Sequence, residues 1–257
     1  MSDVKVTIQD KVAVVTLNRP DVRNAMKLSM WHDIASLFKR LGRDANVRAI
    51  ILTGAGGNFS VGADLSEFAK ARSNTAESKD YEVAVDASSD AIASVRQPVI
   101  AVLEGYCLGG GCHLSMSCDF RYAHTRTSIG IPAAKLSIVY GVRSTQRLLA
   151  LVGLTNAKRI LYSADRYSAI DAARMGLIDR VCENPMSDAM AFAADVARLA
   201  PLSVEGAKKI LTELSMGPGA LDLKDADAFI DHASASEDYE EGRRAFAEKR
   251  PPVFCGK

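Results

Sequence analysis

Apolar and polar positions alternate in two short bursts at the start of the chain. Val4, Val6 and Ile8 form the first, and Val12, Val14 and the run to Leu17 form the second, with Gln9-Asp10-Lys11 between them. Period-two alternation around a polar connector predicts an antiparallel hairpin. Arg19-Pro20-Asp21 breaks the second strand. The spacing then lengthens: Trp31, Ile34, Phe38 and Leu41 recur every three to four residues, which predicts an amphipathic helix capped by Ser29. Val47 to Thr53 is a continuous apolar run ending in glycine and reads as a buried strand.

From there one design occurs twice. "AIILTGAGGNFSVGADL" is a buried strand, a glycine-rich loop and a helix start near Ala63. "VIAVLEGYCLGGGCHL", after the Pro98 break, repeats it with a helix starting near Gly110. Helical spacing around Tyr81 to Val95 separates the two, so the units read as βα. Short strands follow around Phe120–Ala123 and Ser128–Ile131, then helices around Ser144–Val152 and Asn156–Leu161, and a last short strand at Leu177–Val181. From about Pro185 the chain is alanine-rich and helical to Arg250, where Pro251-Pro252 stop it. Helices with no strands to cover suggest a terminal layer that packs on the body or on a partner subunit. The expected organisation is an α/β core over residues 1–195 and a helical C-terminal region over 196–257.

Composition narrows the function classes. Apolar residues make up 48% of the 257 and charged residues 25%, which is ordinary for a globular protein. The 32 basic and 31 acidic side chains nearly cancel, so no long-range field favours nucleic acid or an anionic membrane. The N-terminus has no apolar signal core, and no apolar stretch approaches the ~18–20 residues that span a bilayer. Five cysteines without a Cys-x-x-Cys pair read as reduced thiols of a cytoplasmic protein, not as metal ligands.

Glycine loops that open helices present backbone N–H groups with no intrahelical acceptor, which can bind an anion or polarise a carbonyl. The nucleotide versions do not fit. Neither loop ends in Gly-Lys-Ser/Thr, neither contains Gly-x-Gly-x-x-Gly with an acidic residue about twenty positions on, and no Gly-x-Ser-x-Gly elbow is present. What remains is one N–H donor from each unit converging on a single oxygen, an oxyanion hole, against glycines that serve only tight turns and close packing.

Six stretches in order along the chain carry a family resemblance: "RPDVRNAM" (19–26), "GNFSVGADL" (57–65), "GYCLGGGCHLSMSCDFRYA" (105–123), "STQRL" (144–148), "AARMGLIDRV" (172–181) and "SEDYEEGRRAFAEKRPPVF" (236–254). Together they resemble the crotonase superfamily, the enoyl-CoA hydratase/isomerase family. The resemblance implies a crotonase-like spiral of ββα turns with a C-terminal helical trimerisation region, assembled as a homotrimer or a dimer of trimers. It implies a coenzyme A thioester as substrate and no separate cofactor or metal. It places the oxyanion-hole donors at the N–H groups of Ala63 and Gly110, and CoA-bordering positions at Arg23, Ala25, Asp64, Leu65 and Gly109, with Lys249 reaching CoA phosphates.

The chain departs from the hydratase pattern at two positions. Hydratases of this family hold a water between two glutamates; here those positions are His113 and Ala133. An alanine exchanges no proton, so ordinary two-glutamate hydration is not expected. His113 is a candidate acid or base at the catalytic position, against a histidine that only fills the old carboxylate slot. Tyr140 matches a tyrosine of the methylmalonyl-CoA decarboxylase branch, so loss of CO₂ from a malonyl-type thioester is an alternative, with Arg143 as a partner for the substrate carboxylate. A third reading is an acyl-CoA-binding protein without catalysis, and a fourth keeps the fold only for assembly. His32, His124 and His232 read as solvated or structural.

Overall fold

A computed structural model describes residues 2–67 and 75–257. Strands β1 (Val4–Gln9) and β2 (Val12–Leu17) form the expected hairpin, with Val4 opposite Leu17. Its turn places Asp10 and Lys11 at φ 50° and 66°, the left-handed pair that matches the twist of a two-residue hairpin loop. β2 continues into a six-stranded sheet of order β1-β2-β3-β4-β6-β9, through β3 (Ala49–Gly54), β4 (Val99–Leu103), β6 (Phe120–His124) and β9 (Arg180–Cys182). Every pairing in it after the hairpin is parallel.

Parallel strands need crossovers, and helices α1 (Leu28–Arg43), α2 (Thr75–Ser94) and α3 (Gly110–Ser117) provide them. On one face Trp31, Ile34 and Phe38 of α1 and Ile92 of α2 pack with Ile50 and Leu52 of β3. The other face carries Ala49, Ile51, Ile100 and Val102, covered by Ala189 and Ala193 of a later helix, α6 (Pro185–Ala197). Burial on both faces explains why β3 and β4 read as unbroken apolar runs instead of alternating ones. A second, three-stranded sheet joins β5 (Tyr106–Leu108), β7 (Ser128–Gly130) and β8 (Arg166–Ser168) in the order β5-β7-β8.

Several local expectations differ from the structure for physical reasons. α1 begins at Leu28, with Lys27 in the N-cap position, so Ser29 lies inside the helix. Its cap comes from a distant residue: the Glu67 carboxylate accepts a hydrogen bond from the Leu28 N–H at 3.1 Å. The two helices expected around 144–152 and 156–161 are, by contrast, both present within α4 (Val142–Ser163), parted by a break at Gly153 (φ 69°, ψ 169°). β5 and β8 have three residues each, too short for periodicity to reveal.

After α5 (Ala169–Arg174) and α6 come α7 (Pro201–Ser215), α8 (Leu223–Ser234) and α9 (Glu237–Glu248). α6 packs on the sheet, while α7, α8 and α9 pack mainly on one another. Lys208 of α7 reaches back to Asp119 at 2.8 Å, and Asp119 also accepts from the Val99 N–H, tying the tail to β4. Past α9 the chain folds over that helix: Glu241 accepts from Arg250 and the Val253 N–H, and Asp238 accepts from the N–H groups of Cys255 and Gly256. Leu211, Leu214, Ile230 and Phe246 remain exposed on these helices.

Candidate active site

The two glycine loops meet. Asn24, fully buried, donates to the carbonyls of Ala55 and Asn58, and Ser60 Oγ donates to the Asn24 carbonyl while accepting from the Gly62 N–H. These bonds fix the first loop to the Asn24 segment, and the Ser60 N–H donating to the Tyr106 carbonyl and the Leu108 N–H donating to the Ser60 carbonyl hold it against the second. Gly62 sits at φ 92°, and a Cβ there would lie 2.8 Å from the Leu108 carbonyl oxygen and 3.0 Å from the Gly110 nitrogen. Gly109, with φ 52° and ψ −114°, adopts a conformation that only glycine tolerates well. A Cβ on Gly111 would meet the Ser60 carbonyl oxygen at 2.7 Å. These glycines are therefore needed for a close backbone approach as well as for turning the chain.

Their product is a pair of facing amides. A Cβ built on Gly110 would lie 3.6 Å from the Ala63 nitrogen. The bridge between Met26 and Ala63 engages the Gly62 carbonyl and the Asp64 N–H, and passes over the Ala63 N–H. Gly110 opens α3, so its N–H has no acceptor in the preceding turn. Neither N–H has an acceptor among the described residues. Both border one cavity of about 540 Å³, and the Trp31 ring, 3.0 Å from the position of a Gly110 Cβ, walls it on one side. An oxygen that gains negative charge between such donors is stabilised without reorganisation of the site.

Beyond the amides the cavity is mostly apolar, with a short chain of polar groups. His113 is buried with 3% of its surface exposed. Ser89 Oγ, on α2, donates to the Val85 carbonyl at 3.0 Å and makes a short contact to His113 Nε2. The Tyr140 hydroxyl lies 3.5 Å from His113 Nδ1, with the two rings edge to face. With the serine hydroxyl directed at Val85, this network fits a neutral imidazole that donates from Nε2 and accepts at Nδ1. Burial, reinforced by the Arg147 charge, pulls the His113 pKa from 6.5 to about 3. Burial pushes the Tyr140 phenol well above its ordinary 10. Around neutral pH the imidazole is uncharged and the phenol holds its proton.

The remaining predicted positions separate. Arg23, Ala25, Leu65, Gly109 and Ala133 line the cavity with Ala63, Gly110, His113 and Tyr140. Asp64 does not: it accepts from Arg19 at 2.7 Å and from Ser66, and these bonds hold its carboxyl below the usual range. Lys249 is exposed at the left-handed cap of α9, and Arg143 is bound to Asp90; both stand outside the lining. Sequence reasoning missed Tyr81, Glu82, Asp86 and Ser89 on α2, and Arg166 on β8. "YEVAVDASS" does place Tyr81, Glu82, Val85, Asp86 and Ser89 on one helix face by their 3–4 spacing, but spacing alone does not say what the face meets. At the mouth, Arg23 and Arg166 stack on the Tyr106 ring at 5.3 and 5.6 Å from its centroid.

Comparison with known proteins gives the family and the fold. The family model for enoyl-CoA hydratase/isomerase matches residues 7–257. A short-chain-enoyl-CoA hydratase of Clostridium acetobutylicum is 34% identical over 257 residues, covering 97% of this chain and 96% of that one. Among solved structures, an enoyl-CoA hydratase/carnithine racemase from Magnetospirillum magneticum superposes with a TM-score of 0.94 at 32% identity, covering 100% of this chain and 97% of that one. An enoyl-CoA hydratase from Bacillus anthracis gives 0.89 at 31% identity, with 100% of both chains covered. The chain belongs to the enoyl-CoA hydratase/isomerase family of the crotonase superfamily.

Proposed function

We propose that this protein is an enzyme of proton transfer on an acyl-CoA thioester, holding the thioester oxygen between the N–H groups of Ala63 and Gly110 while an enolate forms. The observation that carries the reading is that pair of facing amides, both without an acceptor and both open to the cavity. Removing one such donor costs about 3–4 kcal/mol of transition-state stabilisation in comparable sites. Moving a proton along the acyl chain needs this hole and one base. Adding water needs more, because the water must be held and ionised. The Ala133 methyl offers it no hydrogen bond, and His113, with a pKa of about 3, is a poor base for it.

Charge favours an uncharged acyl group over a malonyl-type one. Glu82 and Asp86 line the cavity, while Arg143, the cation nearest in sequence to Tyr140, is engaged by Asp90 outside it. Arg23 and Arg166 at the mouth suit the phosphates of coenzyme A, and Tyr106 between them suits a flat ring. The exposed apolar residues of α7, α8 and α9 suit a homotrimer or a dimer of trimers.

Mass spectrometry of a mixed acyl-CoA pool incubated with the protein in D₂O tests the reading. Deuterium uptake into thioesters, with double-bond migration in the unsaturated ones, is the expected result. Net addition of water or loss of CO₂ would replace it with a hydratase or a decarboxylase, and tight binding of an unchanged pool would make the protein a binder.

A further inference from the structure

An enolate site needs a group that takes the proton, and the positions where this family's hydratases place theirs hold His113 and Ala133. The cavity lining leaves few alternatives. Arg23 and Arg166 are guanidinium groups, which offer donors and no acceptor for a proton. Tyr140 keeps its phenolic proton at neutral pH. His113 has both ring nitrogens occupied, by Ser89 and Tyr140, and burial has removed its basicity. Tyr81 accepts from Trp31 Nε1 at 2.9 Å, and Tyr106 is flanked by guanidinium groups at the mouth. Two carboxylates remain, both from α2.

They differ in setting. Glu82 is exposed, whereas Asp86 is half-buried in the cavity wall. Asp86 lies three residues before Ser89, the residue that touches His113, so it stands about 4.5 Å along the helix from that contact. The cations nearest it are committed elsewhere: Arg143 and Arg147 of α4 both bond to Asp90, Arg147 at 2.7 Å. Among the described residues, no hydrogen bond or ion pair engages the Asp86 carboxylate. Burial, with the Asp90 charge added, raises its pKa, which strengthens it as a base.

We infer that Asp86 is the catalytic base and acid of this site, moving a proton on an unsaturated acyl-CoA and so shifting its double bond. The inference rests on the function proposed above. With a β,γ-unsaturated thioester, the Asp86 carboxylate takes a proton from the α-carbon. The C–H electron pair moves into the conjugated system and ends on the oxygen between Ala63 and Gly110. Asp86, now a neutral acid, returns the proton at the γ-carbon, and the electron pair re-forms a double bond between the α- and β-carbons. Proton and electrons balance within the substrate and one carboxyl group, with no water, oxidant or reductant consumed. The same group, returning a solvent-derived proton to the α-carbon of a saturated thioester, exchanges that hydrogen.

The test uses the full chain, trans-3-hexenoyl-CoA for double-bond migration and butyryl-CoA in D₂O for α-hydrogen exchange. Wild-type protein is expected to do both. Asp86→Asn is expected to lose about 10²–10⁴-fold in each rate while binding butyryl-CoA with nearly unchanged affinity by calorimetry, which also reports that it is folded. Asp86→Glu, with the carboxylate on a longer arm, is expected to recover part of the loss. Asp86→Asn turning over at the wild-type rate would overturn the assignment and leave the acyl-CoA reading standing. Wild-type protein that neither migrates nor exchanges would instead remove the proposed function itself.

Discussion

The two ends of the cavity are built from different materials. The proposed oxyanion end is backbone: two amides from two loops, brought together because Gly62, Gly109, Gly110 and Gly111 have no side chains to keep them apart. The far end is made of side chains, from α2, α3 and the segment around Tyr140, held by Ser89, His113 and Tyr140. A backbone donor survives most substitutions at its own position, since every residue but proline carries the N–H. A proton-transfer group does not survive, and can be resupplied only by another element that faces the same space. The difference is compatible with a chain that keeps both glycine loops while His113 and Ala133, neither of them a carboxylate, stand in the same cavity.

The sharpest way to break that comparison is to put one methyl group at the oxyanion end. Gly62→Ala forces a Cβ against the Leu108 oxygen and the Gly110 nitrogen at a φ of 92°. Losing the alignment of one donor is expected to lower kcat about 10²–10³-fold in steady-state kinetics with the trans-3-hexenoyl thioester. A variant that keeps wild-type turnover would mean that the facing amides are not the seat of the chemistry.

A second test reads the far end through stability. A histidine whose folded pKa is depressed makes the unfolded state the better proton binder, so its stabilising contribution is complete above about 6.5 and is lost as pH falls toward about 3. Unfolding by urea is expected to show His113→Gln losing less stability than wild type on acidification, by about 2 kcal/mol between pH 6.5 and 5. Parallel pH profiles for the two proteins would show that His113 is not held neutral.

The smallest effect belongs to the mouth, which on the proposed function contributes binding without chemistry. Arg166→Ala is expected to raise KM for a CoA thioester by about 3–10-fold with kcat unchanged, on the order of 1 kcal/mol for a solvent-exposed cation. Added salt should shrink the difference between variant and wild type. A change confined to kcat would place Arg166 with the reacting end instead.

These tests follow a division already visible between residue pattern and fold. The hairpin, the buried strands β3 and β4 and the two glycine-rich helix starts were legible because each depends on a local rule: period two, an unbroken apolar run, or a glycine where the chain must turn. The cap of α1 was not legible, since the carboxylate that serves Leu28 comes from Glu67 across the loop. Asp64 illustrates the converse. Its neighbours Ala63 and Leu65 line the cavity, yet Arg19 and Ser66 draw its side chain away.

The sequence alone carried the family, the pair of glycine-rich loops and the identities of His113 and Ala133, because these are matters of residue identity at fixed spacing. Which carboxylate could stand in for the missing ones was decided only by the folded chain. That outcome depends on the rotation of α2 about its axis and on its crossing over α3, and both are set by packing among residues far apart in sequence. A residue pattern puts Asp86 and Ser89 on one face of a helix. Only packing aims that face at the space beside His113.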